Sequence, residues 1–379
     1  MNLSLSAEAR AYVKKNHSTL IDLTKQLCGI PAPSNHEEKR AEFCRNWLES
    51  QGCEGVYIDD ALNVIWPVGC TDSNDLVVYM AHSDVVFPDT ETLPLKVEDG
   101  RIYCPGIGDD TACAVSLVMT AKYIAEAGLR PGNTGLLLVV NSGEEGLGNL
   151  KGSRKIMEDF GSRVIEFVTF DGYANKIANT TVGSKRYKVA VATEGGHSYS
   201  AFGNRNAIAY LASLISTLYD IKVPTRGKTT FNVGTISGGT SVNTIAQSAE
   251  MLYEFRSDNR EDLAEMEEHF KAAIDFYCTK GIEITVTQVG DRPCMGDVDP
   301  VREQVLMERG ERAIKNHYGY DVEYSSSSTD CNIPMSMGIP SICVGTVVGG
   351  KAHTREEYVE IGSLLPGLKV AAEMILHHF

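Results

Sequence analysis

The stretch Gly135–Gly146, GLLLVVNSGEEG, constrains the fold more than any other part of the chain. Leu136–Val140 is an unbroken apolar run, too short for a helix and bulky enough for a strand buried on both faces. It stops at Asn141-Ser142-Gly143, a turn signal, and hands over two adjacent carboxylates, Glu144 and Glu145. Strands of this kind build α/β sheets, whose chemistry sits beyond the carboxyl ends of the strands. Two acids placed there can divide labour, one holding a metal and the other moving protons. An isolated Glu-Glu pair is more often a solvated loop, so the functional reading depends on what other strand ends deliver.

They deliver ligands. Leu76–Met80 is a second apolar run, followed at once by His82-Ser83-Asp84. In an extended chain residues i and i+2 point the same way, so Asp84 can orient the His82 imidazole toward a metal. Val164–Phe170 ends in Asp171-Gly172, and Ser341–Val344 leads into a glycine-rich loop carrying His353-Thr354. Gly106-Ile107-Gly108-Asp109-Asp110 precedes an apolar helix predicted over Thr111–Ala127. This GxG lacks the third glycine of a dinucleotide loop, and two aspartates crowd the place a phosphate would take. Helix N-termini favour carboxylates on their own account, and a lone histidine is more often structural. The coincidence of His82, Asp109, Glu144 with Glu145, Asp171 and His353 at strand ends or a helix start points to a metal centre.

Between about Thr181 and Pro293 the texture changes. Alternation over Lys185–Thr193 is followed by a helix over Asn204–Asp220, then by two alternating stretches, Thr229–Ile236 and Ala249–Phe255. Asp258-Asn259 offers a cap for another helix, and Ile282–Val286 closes with a strand. The order β-α-β-β-α-β is that of a ferredoxin-like unit. The expected architecture is therefore an α/β catalytic domain (mixed sheet between helices) over 1–180 and 294–379, interrupted by an α+β domain over 181–293. A single amphipathic helix is predicted from Ser6 to about Cys28 and a second over roughly Glu37–Gln51.

Composition narrows the partners. At 379 residues, with 43% hydrophobic and 22% charged residues, the sequence is that of a globular protein of two or three domains. A net charge of −15 argues against nucleic acid and against an anionic membrane surface. No apolar stretch reaches membrane-span length, and the first residues lack the apolar core of a signal peptide. Ten cysteines without CxxC spacing are expected to be reduced thiols in a cytoplasmic protein.

His82-Ser83-Asp84, Gly108-Asp109-Asp110, Glu144-Glu145, Asp171 and His353-Thr354-Arg355-Glu356-Glu357 resemble, in order and spacing, the dizinc metallopeptidases related to peptidase T, glutamate carboxypeptidase and aminoacylase. The resemblance covers essentially the whole chain, with Gly195-Gly196-His197-Ser198 and Thr240–Ile245 matching in the inserted domain, and is greatest to peptidase T-like members. One departure is Thr111, where many members carry lysine. The resemblance implies two zinc ions, with cobalt or manganese as substitutes. One is held by His82 and Asp171, the other by Glu145 and His353, with Asp109 bridging and Asp84 behind His82. It implies Glu144 as general base, His197 as donor to the developing oxyanion from the partner subunit of a homodimer built through the inserted domain, and Asn243 and Arg256 as substrate-binding residues. The implied activity is hydrolysis of short peptides by a tripeptidase or aminopeptidase of the peptidase T type. An N-acyl-amino-acid deacylase or carboxypeptidase on the same scaffold is the alternative, and a non-catalytic metal- or peptide-binding protein a remoter one.

Overall fold

The computed structural model describes residues 5–72 and 74–379. The chain divides into two compact units, one running to Thr181 and resuming at Asp297–Phe379, the other spanning Val182–Gly296.

The first unit is built on an eight-stranded mixed sheet. Its order is Tyr57–Ile58, Val64–Val68, Gly135–Asn141, Leu76–His82, Val164–Phe170, Ser341–Val344, Lys176–Thr181 and Glu323–Ser327. The four central strands, from Gly135–Asn141 to Ser341–Val344, are mutually parallel. Every residue of Leu76–His82 and Gly135–Asn141 is buried, as expected for strands covered on both faces. Because these strands are parallel, their carboxyl ends share one edge of the sheet. That edge receives His82, the Ser142–Glu145 turn, Asp171 and the loop leading to His353.

The helix Ala112–Glu126 packs almost wholly buried against the sheet, and Ile361–Ile375 packs on it in turn. The N-terminal segment is two helices, Ala7–Lys15 and His17–Gly29, where a single one was expected. Asn16 makes the break: its backbone N–H and its side-chain amide both donate to the Tyr12 carbonyl at 3.0 Å, closing the first helix. The short edge strand Glu323–Ser327 includes much of the serine run, whose composition carries no strand signal.

A buried cluster ties the C-terminus to the sheet. Tyr79 Oη donates to the Met374 carbonyl at 2.8 Å, so its oxygen accepts from His378 Nε2 at 3.0 Å. Burial and then the Arg309 charge push the His378 imidazole down to about 3. Glu166 lies 3.9 Å from Nε2, but both its oxygens are engaged by the Arg309 guanidinium, which neutralises it. The folded value lies below the ordinary 6.5, so the unfolded chain takes up the proton first and stability falls as pH drops below 6.5. The loss is at most about 1.4 kcal/mol per pH unit. His378→Gln keeps a donor for Tyr79 and cannot titrate, so its melting temperature should fall less steeply than wild type between about pH 7 and pH 5. Parallel slopes would show that His378 takes up its proton as readily in the fold as in the unfolded chain.

The second unit is a four-stranded antiparallel sheet in the order Thr229–Gly238, Ser248–Ser257, Gly183–Ala192, Glu283–Arg292. Numbered along the chain the order is 2-3-1-4, the ferredoxin-like arrangement, with Ala207–Tyr219 and Arg260–Cys278 as its helices. Tyr187, Val189, Val191, Met251, Tyr253 and Phe255 form the core with Leu211, Leu214, Met266 and Phe270. Asn206 and Asn259 cap the two helices, each accepting two backbone amides.

Candidate metal centre

Two imidazoles converge on one carboxylate. His82 Nε2 lies 3.0 Å from Asp109 Oδ1, and His353 Nε2 lies 3.0 Å from Asp109 Oδ2. His353 Nε2 also lies 3.0 Å from Glu145 Oε1. Asp171, immediately after its strand, joins His82 and Asp109 in one group of three donors; Glu145 and His353 join Asp109 in another. A third group, His82 with Glu144 and Glu145, places the remaining acid at the same centre. Within each group the donor atoms lie within 4.8 Å of one another.

Local backbone explains how the donors meet. His82 ends its strand, and its backbone N–H donates to Asp110 Oδ2 at 3.0 Å. Its Nδ1 lies 3.1 Å from the Asp84 carbonyl and 3.4 Å from the Asp84 carboxylate. The Asp84 carboxylate has further work: Oδ1 accepts the Glu144 amide at 3.0 Å, while Oδ2 accepts the Glu145 amide at 2.9 Å and the Ser34 hydroxyl at 2.7 Å. Asp109 is held the same way from below. Glu357, fully buried, accepts the amides of Gly106, Gly108 and Asp109 at 2.9, 2.7 and 2.9 Å. His353 itself sits at φ +63°, in a loop that leaves half its side chain exposed.

Two further buried charges support these loops and carry no motif in the sequence. Arg40 donates to the carbonyls of Ile30 and Ser83 at 2.8 Å and to Thr111 Oγ1 at 3.1 Å. Thr111, the departure from the resembling family, is thus tied to a guanidinium supplied by another helix. Glu37 accepts the Gly143 amide at 3.0 Å. Both lie in the charged run His36–Glu42 at a helix start, where neither stands out from its neighbours.

The electrostatics are those of a cation site. Burial pulls the His82 imidazole down, but Asp109 and Asp84 outweigh it and hold it well above its ordinary value. Hydrogen bonds donated to Asp109 and then to Glu145 raise His353 to about 11. Burial, followed by the Asp109 charge, pushes the Asp171 carboxyl up to about 7. Crowded carboxylates with interleaved imidazoles are the donor set of zinc and of harder divalent ions. The residues fit divalent cations, Asp109 being the donor common to two of the groups.

The remaining candidates lie in the second unit. The strand pair Gly196–His197 and Thr244–Ile245 brings two of the sequence signatures together, and the Ser198 amide donates to the Asn243 carbonyl at 2.9 Å. His197 is exposed, and its Nδ1 accepts the Tyr199 amide at 3.2 Å, which leaves the ring proton on Nε2. Arg256 lies on the strand Ser248–Ser257, where its guanidinium forks onto Glu254 with two bonds of 3.0 Å. The structure thus pairs His197 with Thr244, next to Asn243, and engages Arg256 with an acid of its own strand.

The chain is similar to known proteins over most of its length. A peptidase M20 domain-containing protein of Schizosaccharomyces pombe is 25% identical over 370 residues, covering 95% of this chain and 84% of that one. Succinyl-diaminopimelate desuccinylase of Corynebacterium glutamicum is 26% identical over 346 residues, 89% and 90% of the two chains. The crystal structure of a tripeptidase from Staphylococcus aureus superposes with a TM-score of 0.75 at 21% identity, covering 95% and 98%. The profile of peptidase family M20/M25/M40 matches residues 78–377, a span that contains every donor of the two triads, and the chain belongs to that metallopeptidase family.

Proposed function

We propose that the protein is a dizinc exopeptidase acting on short, unblocked peptides, in the manner of a tripeptidase. The observation that carries this reading is the pair of donor triads sharing Asp109, with Glu144 beside them. His82 and Asp171 would hold one ion, Glu145 and His353 the other. Bound there, the ions supply Lewis acidity, polarising an amide carbonyl and acidifying water.

The chain's own groups do the rest. Glu144, next to a ligand, takes the proton of the attacking water and returns it to the leaving nitrogen. Asp84 and Asp109 keep the imidazoles aimed. His197, with its proton on Nε2, is suited to donate to an oxyanion. Asn243 and Arg256 are assigned to the substrate from the resemblance, Arg256 to a terminal carboxylate. His197 serving the active site of a second copy, in a dimer formed through the inserted domain, belongs to the same reading.

The similarity to the Staphylococcus aureus tripeptidase favours peptides, and the carboxylates around the centre suit an ammonium at the substrate's N-terminus. The similarity to a desuccinylase favours a second reading, cleavage of N-acyl amino acids. A free tripeptide, its N-acetyl and C-amide forms and an N-succinyl amino acid separate the two. Loss of a desolvated charged contact costs about 1.5–3 kcal/mol, so N-acetylation should lower kcat/KM by at least about tenfold, and amidation less. Faster cleavage of the N-succinyl compound than of the free tripeptide would transfer the assignment to the deacylases. No helix among the described residues is long and apolar enough to cross a membrane.

A further inference from the structure

Three consecutive amides of the turn after Gly135–Asn141 point at two buried carboxylates. Those of Glu144 and Glu145 go to Asp84, as described above. The first, on Gly143, donates to Glu37 Oε1 at 3.0 Å, an oxygen that also accepts the Asn35 amide at 2.8 Å. Glu37 is fully buried, and its second oxygen meets Lys151 Nζ at 2.9 Å. Lys151 begins the helix Lys151–Phe160 and is about a quarter exposed. Its stem lies over Gly143 so closely that a β-carbon there would sit 2.6 Å from Cγ, and Gly143 itself has φ +64°. The turn is therefore gripped from one side by Asp84 and from the other by an ion pair from two separate helices' ends. The bonds of that pair go to the backbone amides of Asn35 and Gly143 and to each other.

We propose that the Glu37–Lys151 pair is a positioning device for Glu144, fixing the turn so that the general base keeps its angle to the centre while Glu145 keeps its own donor position. The physical need is clear from the sequence: Glu144 and Glu145 are neighbours with different tasks, so a small rotation of the turn would exchange their roles. A carboxylate that accepts the Gly143 amide removes that rotation. Burying the carboxylate makes the bond stiff, and Lys151 offsets the charge that burial would otherwise penalise. The proposal rests on the reading of Glu144 as general base.

The test uses Glu37→Gln, Lys151→Met and Lys151→Arg in the full-length protein, with Glu144→Gln in parallel. Misplacing a catalytic group by about 1 Å can cost about 100-fold, so Glu37→Gln and Lys151→Met should lower kcat by roughly 10- to 100-fold with KM nearly unchanged. Metal content per chain should stay at the wild-type value, and Lys151→Arg, which keeps the ion pair, should recover most of kcat. Hydrogen exchange of the segment 142–146, measured without added metal, should quicken in Lys151→Met and not in Lys151→Arg. Adding Glu37→Gln to Glu144→Gln should produce no further loss, because the device acts through Glu144. Unchanged kcat and unchanged exchange in both Glu37→Gln and Lys151→Met would overturn the proposal, as would a loss of metal in proportion to activity. If Glu144→Gln alone keeps its turnover, the general-base reading fails, and the positioning proposal falls with it for that separate reason.

Discussion

Glu144→Gln is expected to lose about 100- to 10,000-fold in kcat while binding as much metal as the wild type, because general-base catalysis contributes that much. The glutamine is isosteric and keeps one acceptor oxygen, but it cannot take a proton from water at neutral pH. The turn around it depends on backbone amides donated to Asp84 and Glu37, and these bonds do not involve the Glu144 side chain. Glu145 and both imidazoles are therefore left in place. Metal content must be determined on the same sample as the rate, since the third donor group includes Glu144 with His82 and Glu145. Loss of one ion with the activity would make Glu144 a ligand; a rate within about tenfold of wild type would make it a loop residue.

How far the sequence could lead is shown by these residues. The donors other than Asp109, which stands at a helix start, were legible because each comes after an apolar strand run, and parallel strands must bring their carboxyl ends to one edge. His82, Asp171 and the Glu144-Glu145 turn need no tertiary information beyond that. The inserted unit was legible from its switches of period, and the 2-3-1-4 strand order agrees with the ferredoxin-like expectation. The supporting charges were not. Glu37 and Lys151 are 114 residues apart in sequence, and Arg40 reaches Thr111 across 71. No local pattern distinguishes them from surface charges on amphipathic helices. The task of Asp84 was also only half visible. An HxD spacing suggests a carboxylate behind an imidazole, and the carboxylate is within 3.4 Å of His82, yet its shorter bonds go to the two turn amides. The long helices Pro300–Tyr318 and Ile361–Ile375 drew no prediction, although Asp299-Pro300 is a helix-start signal.

Asp109→Ala should abolish activity through the metals themselves. Each Asp109 oxygen faces a different imidazole at 3.0 Å, so one substitution removes a donor from both triads at once. Loss of a residue that merely supports a ligand costs about 10- to 100-fold in metal affinity, and loss of a shared ligand should exceed that for both ions. A proton count gives an independent readout. Asp109 is the first cause of the raised His353 value of about 11, and its bond is the largest of those lifting His82 against burial. Both imidazoles of the metal-free wild type are therefore protonated at neutral pH and must release their protons when a metal binds. A raised folded value keeps that proton in place below the folded pKa and gives it up above, so release per ion should be large near pH 7 and shrink as pH rises. Calorimetric titration with zinc in buffers of different ionisation heat should thus show the release of at least about two protons per wild-type chain near pH 7. In Asp109→Ala the imidazoles lose their shared partner and fall back toward 6.5, so the residual binding should release fewer. Retention of two ions at wild-type affinity by Asp109→Ala would remove this carboxylate from the centre and, with it, the idea of a donor shared by both ions.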